Sequence, residues 1–221
     1  MSKNIERIDY GKALVLGQSG YGKTFMFRNC NEETFGFINA ERKPLPFRKR
    51  FKHHGRPANW YSFIKNLEDF GSKSEIETIG IDSQSMAFDM LYQECQTNFK
   101  GYDIYSSFNK QIVQFLDLLR DIKKDILVTG HDELLLIEGF KQKRAKVHGK
   151  MYEGRIESYY TVVMYADKDM KNDEVKYFLR TMVPDTSTKV PPDMFDEKGY
   201  TIPNDAEYIF SKMKEYYSWQ A

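Results

Sequence analysis

Gly17-Gln18-Ser19-Gly20-Tyr21-Gly22-Lys23-Thr24 fits the pattern G-x-x-x-x-G-K-[ST] with no departure. Ala13 to Leu16, just before it, is a short apolar run that reads as a buried strand, and the segment from Lys23 to about Cys30 reads as a helix. Glycines at these spacings let the backbone curl so that successive N–H groups converge on one anion. A helix starting near Lys23 aims its positive dipole end at the same point. The Lys23 ammonium reaches β- and γ-phosphates, and the Thr24 hydroxyl is a Mg2+ ligand. The whole run from Gly17 to Thr24 is therefore the expected cradle of a Mg-nucleotide. No N-K-x-D stretch of the guanine-reading kind occurs, which favours ATP over GTP.

Outward from this loop, strands and helices alternate, the pattern of a mostly parallel central sheet with helices on both faces. Strands are expected over residues 34–39, 77–82, 126–130, 160–165 and 175–182. Helices are expected over residues 59–70, 85–99 and 106–122, and a last one opens at Pro203 with Asn204 or Asp205 near its cap. Residues 42–56 read as loop, residues 133–150 resist assignment, and Asp167 to Asp173 reads as a charged turn between the last two strands. One α/β domain suits 221 residues, with a core at about 11–195 and a C-terminal helix at about 203–219.

Composition sets limits. Hydrophobic residues make up 41%, enough for a packed core. Net charge is +1, so any nucleic-acid contact must come from local basic loops. Cys30 and Cys95, and the pair His53 and His54, lack metal-ligand spacing. The start, Met-Ser-Lys-Asn-Ile-Glu-Arg, has no apolar secretory core, and the run Leu134 to Ile137 is too short to span a membrane. A cytoplasmic protein without a membrane partner is expected.

A second acidic group is needed beside the phosphates to hold the hydration shell of Mg2+. Asp82 closes the apolar strand Ile79-Gly80-Ile81 and is the candidate; a strand-ending Asp also serves as a helix cap, a task that Ser83 could share.

Beyond these motifs the chain resembles the RecA-like P-loop ATPases from about Ala13 to Phe195, and most of all the short phage nucleotide-binding (AAA-domain) proteins of that group that serve recombination and single-strand annealing. The resemblance implies roles for particular residues. Glu41, after Phe37-Ile38-Asn39-Ala40, matches the glutamate that polarises the attacking water. His131, after Leu127-Val128-Thr129-Gly130, matches the polar residue that senses the γ-phosphate. The following stretch matches a mobile DNA-contacting loop, here with Lys141, Lys143, Arg144, Lys146 and Lys150, which as cations suit phosphate contacts or a solvated face alike. Lys189, in Thr188-Lys189-Val190-Pro191-Pro192, matches a finger reaching the site of a neighbouring subunit in a ring or filament. A second basic stretch, Arg42 to Arg56, is expected on the same carboxyl edge of the sheet. The chain has no room for the large extra domain of full-length recombinases, and the segment before Lys12 is too short for their polymerisation arm.

The resemblance thus implies a Mg-dependent ATPase that binds ATP and hydrolyses it to ADP, acts on single-stranded DNA in recombination or replication, shares its sites within a homo-oligomer and, if phage-encoded, works in the host cytoplasm. A small-molecule phosphotransferase, with the lysine tract as lid, and a non-hydrolysing assembly switch are the alternative readings. The aromatics from Tyr102 to Phe108 suit either base stacking in a loop or packing.

Overall fold

The computed structural model describes residues 9–137, 139–171, 174–195 and 200–218. The N-terminal heptapeptide, Asp173 at the end of the expected charged turn and the last residue of the expected C-terminal helix lie outside the described residues.

Strand β1 (Lys12–Leu16) leads into the phosphate loop and sits in the middle of the sheet, buried on both faces. β2 (Phe35–Asn39), β3 (His53–Gly55), β4 (Thr78–Asp82), β5 (Asp125–Gly130) and β8 (Val162–Lys171) run parallel to it; at one side β9 (Glu174–Arg180) returns antiparallel to β8, and β10 (Thr201–Pro203) is antiparallel to β9. The order is β10-β9-β8-β1-β5-β4-β2-β3, so β5 separates the strand of the phosphate loop from the strand of Asp82. Both edge strands are three residues long. A separate antiparallel hairpin, β6 (Asp132–Ile137) with β7 (Phe140–Ala145), leaves the end of β5.

Side chains alternate along each strand, so every strand supplies two cores. Leu14, Leu16, Ile79, Ile81, Ile126 and Val128 face the helical layer α1 (Trp60–Ser72), α2 (Gln84–Asn98) and α3 (Tyr102–Asp121). Ala13, Val15, Phe35, Phe37, Leu127 and Met164 face the opposite way, onto Met26, Phe27, Phe51 and the helix α4 (Ala206–Tyr216). Helices thus cover both faces, as the alternation of elements predicts. In α1 the i, i+3, i+7 positions Trp60, Phe63 and Leu67 are buried, and Asn59 with Ser62 forms a reciprocal capping box.

The structure departs from the sequence reading at several elements. Residues 42–56 contain β3, too short to leave a periodic signal. Tyr102 to Phe108 is helical rather than a loop, with Phe108 fully buried and Tyr102 exposed. Pro203 ends β10 instead of opening a helix, and Asp205 is the cap of α4, its carboxylate accepting the Glu207 N–H at 3.0 Å.

Gly80 shows how tightly the strand of Asp82 is packed: a Cβ there would stand 2.5 Å from Phe35 Cζ and 2.8 Å from Phe27 Cε1. Gly80→Ala is expected to lower stability by about 1–3 kcal/mol, the usual range for an added methyl group in a full core; urea denaturation checks it, and an unchanged midpoint would show that the two rings yield freely.

Candidate functional site

The parallel register brings the carboxyl ends of β1, β5, β4 and β2 together: Leu16 lies opposite Gly130, Ile81 opposite Val128, and Asn39 opposite Asp82. The residues that follow, Gly17, Glu41 and His131, therefore crowd one edge together with Asp82. A cavity of about 370 Å3 opens there, bounded by Ser19, Lys23, Thr24, Glu41, His131 and Tyr177, among others.

The loop itself needs its glycines. Gly20 and Gly22 both have φ of 79°, and a Cβ on Gly22 would come within 2.7 Å of Asn204 Nδ2 and of the Tyr177 ring. Lys23 is buried, and its ammonium donates to the carbonyls of Gly17 at 2.6 Å and Gln18 at 2.8 Å. Burial lowers its pKa, and the nearby carboxylates of Asp82 and Glu41 oppose that shift. The segment after Lys23 is a 3-10 helix, Thr24–Asn29, rather than the longer helix expected to Cys30. It stops because Asn31 turns the chain, its side chain accepting the Glu33 and Thr34 N–H groups. So short a helix contributes little dipole, and phosphate binding here falls mainly to loop N–H groups and Lys23.

Asp82 is fully buried, with its carboxylate between two hydroxyls: Thr24 Oγ1 donates to Oδ2 at 2.7 Å and Thr129 Oγ1 to Oδ1 at 2.5 Å. Burial raises its pKa; the two hydroxyl donors pull the other way. The capping role goes to Ser83, whose Oγ accepts the Met86 N–H at the start of α2. Thr24 Oγ1, of a residue that lines the cavity, and Asp82 Oδ2 bonded to it from behind are adjacent hard oxygen donors, a donor pair that fits Mg2+.

Glu41 meets Lys43 and His131. Its Oε2 takes Lys43 Nζ at 2.8 Å, and its Oε1 stands 3.7 Å from His131 Nε2, an ion-pair rather than a hydrogen-bond distance. His131 first, then Lys43, hold the Glu41 carboxyl down to about 2 against the opposing effect of partial burial. The backbone N–H of His131 donates to Ser85 Oγ at 2.8 Å, which ties β5 to the start of α2.

Other expected residues lie apart. Lys189 pairs its backbone with Val163 and sends its ammonium to the Ser158 carbonyl at 3.2 Å, before the start of β8 and far along that strand from Ala166, which abuts Gly17. Lys141, Lys143 and Arg144 belong to β7, and with Lys146 and Lys150 they stand outside the cavity. The stretch after His131 is a hairpin rather than an open loop. Its base is fixed by the Ala145 N–H to Glu157 at 2.8 Å and by the Tyr165 hydroxyl to the Lys143 carbonyl at 2.8 Å. The second basic stretch reaches the carboxyl edge through Arg42, Lys43, Pro46, which lines the cavity, and Arg56, whose guanidinium bonds the Arg42 carbonyl. A parallel crossover must carry the chain back to the other end of the sheet, and there Lys49 bonds the carbonyls of Arg28 and Cys30, while Lys52 pairs with Glu33.

Sequence reasoning gave no site role to Thr129, Tyr177 and Asn204, and it placed Lys43 on the carboxyl edge without pairing it with Glu41. Thr129 had a signal, as a hydroxyl one residue from the end of an apolar strand that neighbours the strand of Asp82. Asn204 had none, since 182 positions separate it from Gly22, which it touches.

The comparisons agree with this geometry. The AAA domain family model matches residues 10–194, and the chain belongs to that family of P-loop ATPases. A solved structure of a KaiC-like protein from the hyperthermophilic archaeon Pyrococcus horikoshii OT3 is similar at 15% identity, with 77% of each chain covered and a TM-score of 0.47. No curated protein matches the chain. Among the described residues no helix is long and apolar enough to cross a membrane.

Because the folded pKa of Glu41 is depressed, its ion pairs contribute stability that is complete above its ordinary value of 4.5 and lost as pH falls towards about 2. Carboxyl 13C resonances followed by NMR should keep Glu41 ionised well below 4.5 in the wild type and bring its midpoint up towards 4.5 in His131→Ala. A wild-type midpoint at 4.5 would mean that neither Lys43 nor His131 engages it.

Proposed function

We propose that the chain binds Mg-ATP at the Gly17–Thr24 loop and hydrolyses it, with single-stranded DNA on the β6–β7 hairpin as the partner that governs turnover. The observation that carries this reading is the single cavity onto which Lys23, Thr24, Glu41 and His131 all face, with Asp82 bonded to Thr24. Lys23 leaves the loop carbonyls for the phosphates and takes up charge that grows on the transferred group. Glu41, anionic and at the cavity wall, orients the attacking water, and His131 lies beside it where it registers the γ-phosphate. Thr24 directly and Asp82 through water would hold Mg2+, which would supply positive charge to offset that of the phosphates.

The DNA part rests on the hairpin. It begins at the residue after His131, and cross-strand pairing places Leu134 with Lys143 and Leu136 with Lys141. Cross-strand partners share a face, so exposed apolar side chains and ammonium groups alternate on one surface, with Phe140 exposed near the turn. Such a surface suits stacked bases and a phosphate backbone together. Lys189, remote from the site of its own chain, suits a finger delivered to a second copy in a homo-oligomer.

One observation favours a second reading, a nucleotide switch without turnover: Lys43 occupies the Glu41 carboxylate. Steady-state ATP hydrolysis with and without single-stranded DNA, on wild type, Lys23→Ala and Glu41→Gln, separates the two. DNA-stimulated turnover is expected, abolished in Lys23→Ala and reduced at least about a hundredfold in Glu41→Gln, which still binds ATP. Tight ATP binding with no turnover would establish the switch instead; turnover indifferent to DNA would remove the DNA role; and faster transfer to a nucleoside monophosphate than to water would make the protein a kinase.

A further inference from the structure

The family match ends at residue 194, yet the chain after it returns to the phosphate loop. β10 pairs with β9, and the next residue, Asn204, is 3% exposed and donates its side-chain N–H to the Gly22 carbonyl at 3.0 Å. The same carbonyl accepts the Met26 N–H at 3.1 Å. Two donors on one oxygen fix the plane of the peptide that joins Gly22 to Lys23. In a trans peptide the N–H points opposite to the C=O. The Lys23 N–H is therefore turned away from Asn204 and from the body of the 3-10 helix, to the side on which phosphates are gathered. A donor on the carbonyl also polarises the amide it belongs to and strengthens the bond its N–H makes.

Asn204 is itself held in place. Its carbonyl takes Arg28 Nη1 at 2.6 Å, and the guanidinium of Arg28 lies 4.4 Å over the Phe25 ring. The neighbouring Asp205 takes Asn29 Nδ2 at 2.5 Å. The side-chain oxygen of Asn204 is buried and has no hydrogen-bond partner among the described residues. An apolar residue would avoid that desolvation penalty, so what distinguishes an amide here is its N–H on the loop.

We propose that Asn204 is a positioning residue of the nucleotide site, which fixes the Gly22–Lys23 peptide so that the Lys23 N–H meets the phosphate oxygens common to ATP and ADP. This rests on the nucleotide-binding reading above. Asn204 does not touch the γ-phosphate or the attacking water, so it acts on binding and leaves the chemical step alone. The C-terminal segment is then a working part of the site as well as a cover for one face of the sheet.

The test uses the full chain, with titrations of ATP and ADP in the presence of Mg2+, steady-state hydrolysis and 15N-labelled backbone NMR. Asn204→Ala is expected to raise KM for ATP and Kd for ADP alike by about tenfold, the loss expected for one hydrogen bond left unmade. Asn204→Asp, of the same size but without the donor, should weaken both further. In both variants kcat stays within about threefold of wild type, and the Lys23 amide proton moves upfield in Asn204→Ala as its carbonyl loses a donor. Wild-type affinities in both variants, or a fall in kcat at constant KM, would overturn the proposal. If the wild type itself binds neither nucleotide, the loss falls on the reading of the site as a whole. Should both variants fail to fold, Arg28→Met keeps the Asn204 side chain and frees its backbone: weaker binding of both nucleotides by about threefold supports the proposal, and unchanged binding ends it.

Discussion

Parallel pairing of β1, β5, β4 and β2 requires all four strands to finish on the same side of the sheet, and their register makes them finish level. Everything chemical in this protein depends on that constraint. The phosphate loop, Glu41, Asp82 and His131 come from four separate stretches of chain, and no local bonding would gather them. Strand pairing does, and the price is that each strand must be apolar on both faces, because both are covered. The run Ala13 to Leu16 is fully buried, which is why it reads as an unbroken apolar segment.

Within that frame Asp82 acts as the hub. Its carboxylate joins the loop, through Thr24, to β5, through Thr129, across the strand order that separates β1 from β4. A buried carboxylate is tolerated when its oxygens are hydrogen-bonded, and here both are. His131 follows Thr129 by two residues and immediately precedes the hairpin, so the group bonded to Asp82, the group beside Glu41 and the basic strand β7 lie on one continuous piece of backbone.

The sequence was most legible where local chemistry and position coincide. The glycine loop, the apolar strand before it and the strand-ending Asp82 follow from residue types alone, and α1 follows from the spacing of Trp60, Phe63 and Leu67. Resemblance placed Glu41 and His131, which the structure brings to the cavity. Short elements were not legible: β3 and β10 have three residues each and no period to detect. The hairpin was hidden because Leu134 and Leu136 are exposed, so its apolar residues do not mark a core. The short 3-10 helix after Lys23 and the role of Asn204 depend on contacts made by the far end of the chain, and no window of sequence contains them.

The shape of the sheet's borders has a consequence for how copies of this chain can meet. One border strand, His53–Gly55, exposes only three residues of backbone, and the other, Thr201–Pro203, ends in a residue with no N–H. Sheets that continue from one molecule into the next need a long row of unpaired amides and carbonyls, which neither border supplies. Continuation of the eight-stranded sheet through β3 or β10 is thereby disfavoured, and contact between copies at those two borders is left to side chains, where geometry and charge can select the partner.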